Sequence, residues 1–499
     1  MEVTDWSVAV GIVVMILVLL YMYGTWTFSH FSDRDIPGPQ PVPFFGNTLE
    51  IWRKGVIEVA RDWHRQYGKT IGVYFMSNPV LFTTDIEIMK EVFVKDFTNF
   101  TNRGDIPNRE KPYPMEFSLA FAKDDTWRRL RHTMTPTFST GKLRLMDPHI
   151  SRCCEGLSRF LQRLTEKGEL VDVKRVFGAY TIDVIAGTAF GMETDFLTNE
   201  NDAFLHAAMN MIRKSTTFGF LEGFLLIFPI LRPAFSFLGV TSSSGGKHLA
   251  QLIENLLQET KSKGEEVKAD LLQLMLDAEA SEAEVAARPQ DKHMTKTEII
   301  AQGIIILLAG YETTATTLQY MVYLLATNPD KQEKLYNEII AAIGDAPPTY
   351  ENVMGIKYLD NALREALRCF PPVVLFSRQA AETRTIKGVA IPAGCEIAVN
   401  IYAVMQDEDF FSEPHKFIPE RFDDKNISTL LRELAFGAGP RQCIGMRLAL
   451  YEAKMAAVTI VRRFKFIKVP ETVETISFKK SAMMSSPIKP ILVGAELRK

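Results

Sequence analysis

The stretch TKTEIIAQGIIILLAGYETTATTLQYMVYLLAT, Thr295 to Thr327, constrains the fold more than any other. Its periodicity is helical, and its middle is apolar all round. A helix without a polar face needs protein on every side, so this one should run through the interior. At about 1.5 Å per residue it would span on the order of 50 Å. The chain must therefore build a large body around one long central helix. With 499 residues, 46% of them hydrophobic, it has the material for such a core.

Most other segments also carry helical periodicity. Strand signals are confined to Thr70–Phe75, Val80–Thr83 and Ile386–Ile401, the last broken at Pro392–Gly394. The expectation is a mainly α fold with a smaller β region. Lys261–Thr295 is charged and alanine-rich and contains Pro289. It reads as a helix followed by an exposed loop.

The N-terminus carries a second apolar run, WSVAVGIVVMILVLLYMY, Trp6 to Tyr23. It reaches the roughly 20 residues that a membrane-spanning helix requires. Tyr21, Tyr23 and Trp26 suit a membrane interface. A cleaved signal peptide is the competing reading, but no small-residue cleavage site is evident. The following IPGPQPVPFFGN, Ile36 to Asn47, carries four prolines that fix φ and remove donors, so a stiff extended linker is expected. This divides the chain into an anchor (1–26), a proline-rich linker (27–48) and one globular domain (49–499). The net charge of −3 and the lack of a basic block argue against a nucleic-acid partner. Acids before the apolar run and bases after it favour a globular body on the cytosolic side.

Five cysteines with no C-x-x-C pair disfavour a disulfide framework, a zinc site and an iron–sulfur cluster. One of them, Cys443, has an unusual setting: FGAGPRQCIGMRLAL, Phe436 to Leu450. Gly437 and Gly439 permit positive φ, and Pro440 stiffens the turn. Gly445 allows close approach of a backbone or a flat ligand. Met446 onward reads as an amphipathic helix, which puts the cysteine just before a helix N-terminus that favours a thiolate. One lone thiolate suits a haem, whose porphyrin supplies the other four in-plane ligands, and Arg441 is placed to pair with a propionate. A buried structural cysteine in a tight turn explains the local chemistry equally well.

Three further patterns stand out. AGYETT, Ala309 to Thr314, places a glycine, an acid and hydroxyls inside the long apolar helix. Glu312 beside Thr313 makes a proton relay, or else a helix kink with Glu312 turned to solvent or to a salt bridge. ALREALRCFPP, Ala362 to Pro372, carries Glu365 and Arg368 on one helix face, by itself the pattern of an ordinary surface ion pair. DDTWRRLRH, Asp124 to His132, places Trp127 and Arg131 on one face of what reads as an amphipathic surface helix.

Taken together these motifs resemble the cytochrome P-450 family. Phe436, Gly439, Arg441, Cys443 and Gly445 fill every fixed position of its F-x-x-G-x-R-x-C-x-G signature. AGYETT matches its [AG]-G-x-[DE]-T-[TS] motif, and E-x-x-R is followed by PERF, Pro419 to Phe422. The motifs occur in the family's order over essentially the whole chain. The resemblance implies haem b with Cys443 as the axial ligand to its iron. It makes Thr313 and Glu312 the residues that guide protons to oxygen. Trp127, Arg131 and Arg378 would reach the propionates, while Glu365, Arg368 and Arg421 would form a structural charge network. It is most similar to the microsomal branch that oxidises steroids and foreign lipophilic compounds. That implies an endoplasmic-reticulum anchor with a single pass, electrons from NADPH through cytochrome P-450 reductase with cytochrome b5 as an accessory donor, O2 and a lipophilic substrate. Arg128, Arg129 and Lys142 would add a basic face for an acidic electron donor. The rival activities are peroxide isomerisation on the same scaffold and non-catalytic haem carriage. Gly104–Ala122, Phe204–Leu249 and Pro372–Ser377 are the expected substrate-contacting regions, and Phe218, Phe220, Phe224 and Phe228 suggest an apolar lid or plain core.

Overall fold

The computed structural model describes residues 2–104, 113–199, 225, 244–263, 270–288, 291–480 and 484–498. Phe218, Phe220, Phe224 and Phe228, with most of Phe204–Leu249, lie outside the described residues. The longer helices, numbered in chain order, are α1 (Glu2–Thr25), α2 (Asp124–Met134), α3 (Asp147–Glu166), α4 (Val173–Phe190), α5 (Ser244–Lys263), α6 (Lys296–Thr327), α7 (Pro329–Ile343), α8 (Lys357–Cys369) and α9 (Met446–Arg463).

The central helix forms as its sequence requires. Thr295 caps α6: its hydroxyl accepts from the Glu298 N–H, and the Glu298 carboxylate accepts from the Thr295 N–H at 2.9 Å. This reciprocal pairing satisfies two donors that a helix start leaves open. Nearly every residue from Glu298 to Ala326 is then buried, as an all-round apolar pattern demands. α4 packs along α6 at close range, because Gly310 brings no Cβ where Ile185 sits and Gly178 brings none against Tyr311. Gly310 therefore serves helix contact, and α6 continues through it unbroken.

The β region has three parts. β1 (Thr70–Phe75) and β2 (Asn78–Thr83) form an antiparallel hairpin, and β2 pairs in parallel with β7 (Glu396–Asn400). β4 (Leu375–Gln379) completes that sheet antiparallel to β7. A second sheet orders β3 (Val171–Asp172), β9 (Leu492–Leu497) and β8 (Phe464–Ile467), and β5 (Arg384–Ile386) pairs with β6 (Val389–Ile391). The expected strand Ile386–Ile401 is thus divided at two places, since Lys387 and Gly388 also turn with positive φ.

Three sequence expectations change. Lys261–Thr295 is not a helix and an exposed loop: α5 ends at Lys263, and Asp270–Asp277 and Glu282–Ala287 are separate helices. Leu271, Leu272 and Met275 are buried core residues there. α9 has no solvent face over Leu450–Val461, where nearly every residue is buried, Glu452 and Lys454 included. The proline-rich segment lies along β1, where the Gly72 N–H donates to the Pro37 carbonyl at 2.8 Å and the Asn47 amide donates to the Pro39 and Gln40 carbonyls.

α1 is long and apolar enough to cross a membrane, and its side chains from Trp6 to Tyr23 are exposed. α6 meets the same length test, but most of it is buried inside the protein.

Candidate active site and its haem-binding residues

The loop before α9 is built by its glycines. Gly437 (φ 82°) ends a short helical turn over Leu434–Phe436, and Gly439 (φ 69°) begins the next. A Cβ on Gly439 would collide with the Phe93 carbonyl oxygen, so only glycine lets the loop lie on that backbone. The Cys443 N–H donates to the Phe436 carbonyl at 2.8 Å, which closes the loop and fixes where the sulfur points.

Of the five cysteines, Cys443 alone is exposed. Burial pushes Cys154, Cys369 and Cys395 up to about 12, and Cys153 higher still, so these four are inert thiols. Cys443 also sits deep, and burial raises its thiol above the ordinary value. The Gly445 N–H and the charges of Arg131 and Arg103 pull the other way without prevailing. The expectation that the helix N-terminus by itself favours the thiolate is corrected accordingly. α9 begins three residues further on, and a bound metal cation deprotonates a coordinating thiol outright.

Around this cysteine the fold gathers four arginines from four separate segments: Arg103, Arg131, Arg378 and Arg441. None has a carboxylate partner among the described residues. The Arg441 Nη2 donates to the Ala122 carbonyl (2.9 Å), and its guanidinium lies 4.4 Å from the centre of the Trp127 ring. Its Nε and Nη1 are buried with no partner. Arg378, 1% exposed, lies 5.0 Å from the Phe93 ring, and its Nε is also unpartnered. Arg103 donates to the Ala120 carbonyl (3.1 Å) and leaves its Nε buried and open.

Burial lowers all four below the usual arginine range, Arg441 to about 9, and repulsion from neighbouring arginines adds to this at Arg103, Arg378 and Arg441. Burying cations together without counter-charge is costly. The orphaned donors fit a group with two carboxylates, as haem has. Of these four, Arg103 was not singled out in the sequence. It belongs to no motif, and only tertiary placement gives it away.

Facing away from the core, α6 presents a second set of residues. Ala309 is exposed in the middle of a buried helix, and Thr313, one turn on, is half-buried. The Thr313 hydroxyl donates to the Ala309 carbonyl at 2.7 Å. Glu312 points elsewhere: its carboxylate pairs with Lys174 of α4 at 2.8 Å, and Lys174 also reaches the Thr316 hydroxyl at 2.9 Å. Of the two readings of this acid, the resting structure has the salt bridge.

The E-x-x-R pair is no surface ion pair. Glu365 and Arg368 are both 0% exposed. The Glu365 carboxylate accepts from Arg368 Nε (2.7 Å) and Nη2 (3.0 Å), from Arg421 Nε (3.0 Å) and from the Ile418 N–H (2.9 Å). Arg368 donates onward to the Met405, Pro414 and Lys416 carbonyls. The network thus ties α8 to the irregular chain that leads to the cysteine loop. A second tie was missed. Asp360, one turn earlier, holds both Arg364 (2.6 Å) and the buried Lys454 of α9 (2.9 Å), and Arg364 also grips Glu433 (2.9 Å). The i, i+4 spacing of Asp360 and Arg364 was its one sequence signal.

The proposed basic docking face is also corrected in part. Arg129 is buried in a bidentate pair with Glu298 (2.6 and 3.0 Å), and Arg128 is exposed but paired with Asp125.

A helical body around one long core helix, with a lone cysteine in a glycine loop beside a cluster of buried arginines, fits a haem-thiolate protein. The sequence matches the cytochrome P450 family over residues 36–495, and the chain belongs to that family. It is 37% identical over 484 residues to cytochrome P450 3A29 of Sus scrofa, covering 95% of this chain and 93% of that one. It is 37% identical over 495 residues to cytochrome P450 3A7 of Homo sapiens (96% and 94%) and 36% identical over 510 residues to human cytochrome P450 3A5 (100% and 97%). The enzyme is accordingly a P450 monooxygenase whose cofactor is haem b ligated by Cys443.

Proposed function

We propose that this chain is an endoplasmic-reticulum monooxygenase that inserts one atom of O2 into a lipophilic steroid or foreign compound. Its electrons come from NADPH through cytochrome P450 reductase, with cytochrome b5 as an accessory donor. Residues 1–26 anchor it by a single pass, 27–48 connect, and 49–499 form the catalytic domain on the cytosolic side. The observation that carries the reading is the placement of Cys443 beside Arg131 and Arg103, in a cluster with Arg378 and Arg441 that has no carboxylate hydrogen-bond partner among the described residues. The resemblance of its motifs to the microsomal branch of the family supports the substrate class and the donor.

When bound, haem supplies the iron that takes up O2 and electrons. Arg441, Arg378, Arg131 and Trp127 would hold its propionate edge, and Phe436 and Gly445 would frame the face that carries the sulfur. The protein's own residues then govern protons and access. Thr313 holds its proton against the Ala309 carbonyl, on the exposed stripe of α6. Glu312 is parked on Lys174, so delivery through the Glu312–Thr313 pair requires the carboxylate to leave that partner. The rest of the stripe, with Ile305 and Leu308, is apolar and suits a lipophilic substrate.

The test is reconstitution with reductase and NADPH. Thr313→Ala is expected to keep haem and NADPH consumption while product per NADPH falls, by about 100-fold or more if its proton transfer is lost. Product yield per NADPH equal to wild type would refute the role of Thr313.

A further inference from the structure

One polar side chain inside α6 has no part in the motifs above. Gln302 is 0% exposed in the most apolar stretch of the helix. Every hydrogen-bonding atom of its amide is used. Its Oε1 accepts from the Leu119 N–H at 2.7 Å, and its Nε2 donates to the Phe117 carbonyl at 2.9 Å and the Glu298 carbonyl at 3.1 Å. A buried amide is costly unless fully paired, so its pairing with another segment's backbone holds that segment.

The segment it holds, Met115 to Ala122, has little regular structure of its own beyond one short helical turn. It is fastened at four backbone points by three side chains from elsewhere: Gln302 at Phe117 and Leu119, Arg103 at the Ala120 carbonyl and Arg441 at the Ala122 carbonyl. Two of those three side chains belong to the arginine cluster. The third lies on the stripe of α6 that continues through Ile305, Ile306, Ala309 and Thr313, spaced by three and four residues. Gln302 is about two turns, roughly 10 Å, from Ala309. Its neighbour Glu298, one turn earlier, anchors α2 through Arg129, so α2, the segment and α6 meet at one polar seam.

We propose that Gln302 is a positioning residue that fixes the Phe117–Leu119 backbone as a wall of the substrate space, and thereby sets how bulky a ligand can reach the iron. The inference rests on the haem-enzyme reading above. Without the amide, Phe117 and Leu119 lose their anchors on α6 while Arg103 and Arg441 keep theirs, so the wall retreats locally and haem stays bound.

The experiment uses the full-length, haem-loaded protein, with Gln302→Leu and Gln302→Glu beside wild type. Three iron-ligating azoles of increasing bulk serve as probes: imidazole, 4-phenylimidazole and a triphenylmethyl-substituted imidazole. Spectral titration gives each Kd, and hydrogen exchange follows residues 115–122. Gln302→Leu should raise exchange there and shift the imidazole-to-triphenylmethyl Kd ratio toward the bulky azole by about 2- to 12-fold or more, the lower figures being the worth of a single hydrogen bond. Gln302→Glu keeps the acceptor for Leu119 but not the donor to Phe117, and should shift the ratio in the same direction by less. An unchanged or reversed ratio in haem-loaded variants overturns the wall. So does loss of haem from both variants, which would make Gln302 part of core assembly. A wild-type chain that takes up no haem would instead sink the functional reading itself.

Discussion

Replacing Glu365 by Ala tests how the irregular chain before the cysteine loop is held. The carboxylate accepts four bonds from Arg368, Arg421 and the Ile418 N–H, all at 2.7–3.0 Å. Arg368 has no exposure to water, so its charge would be left buried without a counter-ion. Arg421 is nearer the surface and recovers part of its loss from solvent, because its side chain is 7% exposed and bonded to the Ser412 and Glu413 carbonyls. Breaking one member of a buried ion pair costs about 3–5 kcal/mol. Against a typical stability of about 5–15 kcal/mol, that lowers the folded-to-unfolded ratio by roughly two to three and a half powers of ten. The residues set loose are Met405, Pro414 and Lys416, whose carbonyls accept hydrogen bonds from Arg368. Glu365→Ala should therefore express as protein with little haem and a lower urea midpoint. Glu365→Gln, which keeps the shape, should lose less. The assay is urea unfolding followed by intrinsic fluorescence, with haem content from the reduced carbon monoxide spectrum. A midpoint and haem content equal to wild type in Glu365→Ala would refute the reasoning.

Cys443→Ser should abolish the red-shifted Soret band of the reduced carbon monoxide complex, and a retained band would refute ligation by this sulfur. Glu452, 2% exposed with its carboxyl beside the Thr314 hydroxyl, is pushed by burial up to about 8 from near 4.5. The folded state keeps a proton that the unfolded state sheds, so this contribution is complete below about 4.5 and is lost as pH rises to about 8, at up to about 1.4 kcal/mol per pH unit. Glu452→Gln should flatten that slope and exceed wild type in melting temperature at pH 8–9 but not at pH 5; parallel pH profiles would refute it. Arg378→Met removes one cation from a crowded buried cluster, so it should stabilise the haem-free protein yet speed haem transfer to apomyoglobin about 10-fold or more, the worth of one charge-assisted hydrogen bond. No change in either measurement would remove Arg378 from the propionate site.

Much of the fold was legible because it depends on local pattern. The all-round apolar run predicts α6 to within a residue, and its capping pair Thr295 and Glu298 stands at the predicted start. β1 coincides with the strand expected over Thr70–Phe75. Failures came where burial overrode local composition. α9 looked amphipathic because Glu452 and Lys454 are charged, yet both are buried, one neutralised by desolvation and the other paired with Asp360. Arg129 looked like part of a surface face until Glu298, far along the chain, supplied its buried partner.

The sequence determined the class of chemistry through its motifs taken together and in order, which resemble one family. Residue by residue, the glycine loop around Cys443 suited a structural cysteine as well as a haem ligand, and Glu365 with Arg368 suited an ordinary surface pair. The tertiary structure alone decided the rest. It brought Arg103 to Arg441 and Arg378, parked Glu312 on Lys174 and fastened Met115–Ala122 to Gln302. Each of these joins residues tens to hundreds of positions apart, and a buried charge or amide takes its meaning from the group that faces it.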